Sequence, residues 1–184
     1  DKGELVFDGV SLPKGKTPLA LSQDDVNYYE YMINSGFASK LVATKNGIKN
    51  EYIDANGKTS VGNYDLVPIV DEFIKVHPDF SYRGDKGTLA VTGYNGVLGY
   101  RTSVSQYGDT SKTKRETEKA REVVAALKAD GWNFASHSWG HLNMKTSSVA
   151  DVKLDTDRWE KEVQPIVGKT NILIFPFGAD IGDW

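Results

Sequence analysis

A chain of 184 residues, 39% hydrophobic and 26% charged, has ordinary globular composition and is long enough for one domain with a real core. A formal charge of −3 without a dense basic run argues against nucleic acid and anionic membrane as the main partner, and no apolar run approaches the length of a membrane span. The absence of cysteine excludes disulfides and thiol chemistry, and the start at Asp1 is that expected of a mature or excised chain whose targeting information has been removed.

In chain order the pattern alternates strand and helix. Leu19 to Ser22 reads as a buried strand, and Asp24-Asp25 follow it. A Tyr-rich segment from Val26 to Asn34 is predicted helical and ends at Gly36. Ser39 to Thr44 and Ile48 to Ile53, with Asn46-Gly47 and Asn56-Gly57 as turn signals, predict a hairpin or long excursion over 44–62. Leu66, Val67, Ile69, Val70, Phe73, Ile74 and Val76 recur at helical spacing behind Asp65, a plausible cap, and Gly87 to Thr92 is a strand. Thr113 to Asp130 is the clearest helix, with Val123, Val124 and Leu127 on one side and Gly131 at its end. Lys112-Thr113-Lys114-Arg115, the nearest approach to a basic cluster, is its solvated first turn. Asn133 to Ser136 is the next strand, Ser148 to Val167 the next helix, and Asn171 to Phe175 the last strand. This alternation predicts a parallel sheet with helices outside, either a barrel or a doubly wound layer.

Polar clusters stand directly beyond three of these strands. His137-Ser138-Trp139-Gly140-His141 holds two of the three histidines, four residues apart, a spacing that on a helical turn lets two imidazoles take adjacent corners of a tetrahedral metal. The same spacing also arises by chance. One carboxylate of Asp24-Asp25 could complete a two-His, one-Asp site and the other could serve as base. In the plainer alternative Asp24 caps the following helix and Asp25 complements its dipole. The Pro176-Phe177-Gly178-Ala179-Asp180 turn is the third cluster. In a parallel α/β barrel the C-terminal strand ends share one face, where active sites are built, so the pattern predicts that the three clusters converge.

The set Leu21-Ser22-Gln23-Asp24-Asp25, then His137-Ser138-Trp139-Gly140-His141, then Phe175-Pro176-Phe177-Gly178, resembles the first three motifs of the polysaccharide deacetylases, the NodB-homology or carbohydrate esterase family 4 group. The resemblance runs from about Thr17 to the end of a single domain over 1–184, with 44–62 as an insertion. It implies an α/β barrel of the deacetylase type, incomplete at the C-terminus because the family's later strands and motifs have no counterpart. It further implies that Asp25, His137 and His141 bind a metal, usually zinc, that Asp24 is the catalytic base, and that a backbone N–H near Phe177 assists the metal at the oxyanion. The reaction implied is hydrolysis of the acetamide of an N-acetylated polysaccharide such as peptidoglycan or a chitin-like polymer, outside the cell. Trp139, Pro176 and Phe177 are the candidate substrate contacts; for Trp139, site lining and packing are equally open. Trp132 and Trp159 read as core.

Three departures from the family pattern matter. Val26 stands where a glycine follows the acidic pair, Gln23 where an aromatic precedes it, and Ile174-Phe175 where an arginine that holds the base is expected. Arg83 and Arg101 could substitute, although structural roles suit both; His77 reads as a helix C-cap rather than a general acid. Two other readings stand beside the deacetylase: a C–N hydrolase of a small amide on the same barrel, and a catalytically degenerate glycan-binding domain. A zinc-protease reading is weak because no glutamate follows the first histidine.

Overall fold

The computed structural model describes residue 9 and residues 11–182; Trp184 lies outside them. Its elements in chain order are β1 (Ser22–Gln23), a 3₁₀ turn (Glu30–Met32), β2 (Lys40–Thr44), β3 (Gly47–Ile53), β4 (Thr59–Gly62) and α1 (Leu66–Val76). After a second 3₁₀ turn (Pro78–Phe80) come β5 (Gly87–Val91), α2 (Val104–Tyr107), α3 (Ser111–Ala129), β6 (Trp132–Ser136), α4 (Val149–Glu162) and α5 (Gln164–Val167). A third 3₁₀ turn spans Pro176–Gly178.

The frame is a parallel sheet of order β1-β5-β6, extended by a parallel bridge from Ser136 to Leu173. Its middle strand is apolar because both faces are covered: Leu89, Ala90 and Val91 are fully buried. Against it α3 packs Ala120, Val123, Val124 and Leu127, α4 packs Trp159, and α5 packs Ile166 and Val167. The Trp159 indole N–H donates to the Val91 carbonyl at 2.9 Å, so this large buried ring leaves no orphaned donor. Trp132 and Trp159 are core residues, as expected.

The helices end where local chemistry dictates. Asp65 caps α1 by accepting from the Leu66 N–H, and Thr110 caps α3 by accepting from the Thr113 N–H. The basic residues from Lys112 to Arg115 form the first turn of α3 and, except for buried Thr113, are exposed. Gly131 ends that helix with φ 93, and a Cβ there would come within 2.0 Å of the Gly84 carbonyl oxygen. His77 is the C-cap of α1, its ring packed on Phe73 at 4.4 Å.

Among the described residues the expected incomplete barrel is seen as a mixed α/β architecture whose parallel sheet is open, with edges at β1 and at the 172–174 backbone. What the architecture shares with a barrel is the succession of parallel strands in chain order. The segment from Val26 to Asn34 is not a helix but a series of turns with one 3₁₀ turn, because Asp25, Tyr28 and Asn34 all adopt positive φ. The long helix over 148–167 is broken, since Pro165 lacks a donor and the chain restarts as α5. The strand over 171–175 reduces to one bridge, held by Ser136 N–H to Ile172 O at 3.0 Å and Ile174 N–H to Ser136 O at 2.9 Å.

The excursion is a separate antiparallel sheet, β2-β3-β4, which begins at Lys40. Leu41 and Ile48 join its inner face to the main core, and the Leu41 N–H bonds to the Leu98 carbonyl at 3.1 Å. Among the described residues no helix is long and apolar enough to cross a membrane.

Candidate metal centre

The acidic pair sits on a turn directly after β1. Asp25 has φ 53, uncommon for a residue with a side chain and costing on the order of 1 kcal/mol, so neighbours must hold the turn. Asn27, fully buried, does this with one amide: its Oδ1 accepts from the Thr92 N–H at 2.9 Å, and its Nδ2 donates to the Thr92 carbonyl at 2.8 Å and to the Gly96 carbonyl. The next anchor is Tyr29, whose hydroxyl donates to Asp25 Oδ1 at 2.6 Å and lies 2.9 Å from the Thr92 hydroxyl. Burial, then the bond to Asp25, pushes the Tyr29 phenol far above its ordinary pKa, so it stays protonated as a donor. Gln23 donates to both oxygens of Asp65, tying β1 to the α1 cap.

The histidine stretch follows β6 as a loop rather than a helical turn. Ser138 and His141 adopt φ 59 and 54, and these left-handed residues, not helical periodicity, bring the two rings to 4.9 Å. A buried carboxylate from α4 grips the loop: Asp155 accepts from the Trp139 N–H at 2.6 Å and the Gly140 N–H at 2.7 Å. Gly93 is required opposite, since a Cβ there would lie 2.0 Å from the Trp139 ring. The indole of Trp139 donates to Glu162 at 3.0 Å and lies 5.0 Å beneath the Arg158 guanidinium; of the two roles open for it, these contacts favour packing.

His137 is fully buried, with Nδ1 2.8 Å from the Ile174 carbonyl. A carbonyl can only accept, so Nδ1 carries a proton, and in the neutral ring Nε2 is the lone-pair nitrogen. That Nε2 is buried without a hydrogen-bond partner, a costly arrangement unless a further group completes it. It lies 3.7 Å from Asp24 Oδ2 and 3.9 Å from Asp25 Oδ1, and His141 Nε2 lies 3.6 Å from the same Asp25 oxygen. One ligand atom each from Asp25, His137 and His141 lie within 4.8 Å of one another. A tetrahedral ion with bonds of about 2 Å wants its ligand atoms roughly 3.3 Å apart, so the 3.6 and 3.9 Å Asp25 pairs are near that spacing, and the trio as a whole, within 4.8 Å, must contract to hold a divalent metal.

The third cluster joins the same face. Pro176 is buried, and Phe177, at φ 61 and 70% exposed, sets its ring edge-on to His141 at 4.4 Å. Asp24 is the outermost of the set, its side chain 62% exposed. The geometry thus brings Asp24, Asp25, His137, His141 and Phe177 together. Neither arginine replaces the expected partner of the base. Arg101 spends its guanidinium on the Asn95 and Tyr28 carbonyls, and Arg83 lies over Tyr82. Sequence reasoning missed Asn27, Tyr29 and Asp155, all of which act through contacts distant in the chain or along an otherwise solvated helix.

The family model described as polysaccharide deacetylase matches residues 100–182, the segment that contains β6, the histidine loop and the Phe175-Pro176-Phe177-Gly178 turn. No curated protein and no solved structure matches the chain. Two of the three motifs, the histidine stretch and the Phe175-Pro176-Phe177-Gly178 turn, lie inside that match, so over residues 100–182 the chain is similar to the polysaccharide deacetylases.

Proposed function

We propose that this protein is a metal-dependent deacetylase that removes N-acetyl groups from an extracellular polysaccharide such as peptidoglycan or a chitin-like oligomer. The observation that carries the reading is the buried, unpartnered Nε2 of His137 facing Asp25 and His141. These three residues would hold the ion, with zinc the best fit to a two-imidazole, one-carboxylate set. When bound, such an ion supplies Lewis acidity to an amide carbonyl and to water.

The chain's own residues supply the rest. The Ile174 carbonyl fixes the His137 ring and its tautomer, as an outer partner of a metal-binding histidine does. Asp24 stands beside the trio without ligating in it, and its exposed carboxylate takes the proton of the attacking water at Oδ2. The exposed ring of Phe177 borders the site beside His141 and offers an apolar face to the acetyl methyl or a pyranose ring, and Pro176, buried before it, fixes the turn that carries it. A backbone N–H in that turn is the candidate oxyanion donor. The preferred substrate location, and hence an extracellular protein, follows from the polymer.

One observation favours a second reading. Among the described residues no lysine or arginine pairs with Asp24 or Asp25, whose ion-pair contacts are with histidines only. A base without a cationic partner is compatible with a degenerate domain that binds glycan and does not cleave it.

The deciding experiment strips the protein with chelator, reloads zinc, and measures bound metal and acetate release from N-acetylglucosamine oligomers and peptidoglycan. Wild type should take about one zinc and release acetate. Asp24→Asn should keep the zinc and lose acetate release by about 10²–10⁴-fold, and His137→Ala should lose the zinc. Zinc binding without acetate release, together with retention on insoluble peptidoglycan, selects the glycan-binding reading.

A further inference from the structure

The carboxylate that completes the trio is not held by the trio itself. Asp25 follows a two-residue strand, has a left-handed backbone, and is about one-third exposed, so nothing in its own turn fixes its χ angles. Among the described residues its side chain accepts one hydrogen bond, from Tyr29, at the same Oδ1 that faces His137 and His141. Tyr29 in turn is immobilised along its whole length. Its ring stacks on Tyr94 at 4.5 Å and 13° and on Tyr31 at 5.4 Å and 14°, it is 1% exposed, and its hydroxyl is braced at the end of β5 by the Thr92 hydroxyl.

We propose that Tyr29 is a positioning residue of the metal centre: the aromatic stack presents its hydroxyl as a rigid donor that orients Asp25 toward the two histidines and so sets the affinity for the divalent ion. The inference rests on the metal reading of the site. Its physical basis is pre-organisation. A ligand oxygen already held where the ion needs it loses little freedom on binding, whereas a free surface carboxylate must be ordered at that moment. A carboxylate oxygen has two lone pairs, so Oδ1 can accept from the phenol and keep one for the ion.

The test is Tyr29→Phe, which removes the hydroxyl and keeps the ring and both stacks. Zinc affinity is read by competition with a chromogenic chelator, and the ligand field by the visible spectrum of the cobalt-loaded protein; circular dichroism checks the fold. The expected result is native dichroism, a zinc affinity lower by about 10–100-fold and an altered cobalt spectrum. Tyr29→Phe made in an Asp25→Ala background should change the residual affinity by less than about twofold, because the residue acts through Asp25; a role in packing alone would lower affinity in both backgrounds. Wild type binding one zinc with Tyr29→Phe binding it equally well overturns the role of Tyr29 and leaves the metal site standing. Wild type binding no zinc overturns both.

Discussion

The two ends of the parallel sheet carry similar charge and use it in opposite ways. At the N-terminal ends of β5 and β6, Asp71 bonds Lys86 at 2.7 Å and accepts from the Trp132 indole at 3.1 Å, Asp130 takes the same lysine at 2.6 Å, and Glu72 is shared by Lys49 and Lys75. Each of these three carboxylates has a lysine partner. At the C-terminal ends Asp24 and Asp25 meet no lysine or arginine among the described residues, only imidazoles and a phenol, and four residues of that end, Asp25, Ser138, His141 and Phe177, have left-handed backbones. A cleft of about 810 Å³ opens at the lysine end. The candidate metal centre stands at the other end, set apart by two carboxylates without a lysine or arginine partner and by a buried His137 Nε2 that has no hydrogen-bond partner among the described residues.

Asp155 is where the comparison should break most sharply, because it stabilises the strained end. Asp155→Ala leaves the Trp139 and Gly140 N–H groups without their acceptor in a part-buried loop, at a cost of about 3 kcal/mol for two bonds to a charged group. The expected outcome in urea denaturation is a loss of that size together with loss of zinc, since Trp139 and Gly140 lie between His137 and His141 in the same loop. Full zinc affinity in a destabilised Asp155→Ala would mean that the histidines are held by other contacts.

Asp71→Ala is the matching change at the other end and should separate stability from function. Lys86 keeps Asp130, but the Trp132 indole N–H is left buried and unpaired, which costs about 2 kcal/mol. Zinc affinity and acetate release should stay within about twofold of wild type. A drop in metal binding here would show that the two ends are coupled through β5 and β6, and the distinction between them would fail.

What the sequence reveals of the molecule follows the same division between local and distant chemistry. The helix over 66–76 and the one over 111–129 are legible to within about two residues because period and caps are local: apolar residues recur, Asp65 precedes one and Gly131 follows the other. The turn over 26–34 misleads because Asn27 and Tyr29 find their partners at Thr92, some 65 and 63 residues away, and those bonds override helical propensity. The convergence of Asp24-Asp25, His137 and His141 is legible from strand ends and order alone. Their geometry is not, since the imidazoles approach through two left-handed residues rather than a helical turn. Asp155 reads as one more acid on a charged helix, and only the fold shows that it points into the loop. Alternation gives strand direction and sequence and says nothing about closure, so it leaves a barrel and a doubly wound layer both open.

The smallest effect expected is also the most direct probe of why the lysine end is structural. Lys49 and Lys75 draw the Glu72 carboxyl down from 4.5 to about 2 through hydrogen bonds, joining β3 to α1. A carboxylate whose pKa is lower folded than unfolded contributes its stabilisation fully above the unfolded value, and loses it as pH falls through the folded one. The gap in thermal midpoint between wild type and Glu72→Gln should therefore be constant near neutral pH and close progressively between pH 4.5 and about 2. Because the group is exposed, the gap should be small and should narrow further in high salt. A gap that persists at pH 2 would show that Glu72 acts through packing of its stem rather than through its charge, and would remove it from the set of lysine-paired acids that sets this end of the sheet apart from the other.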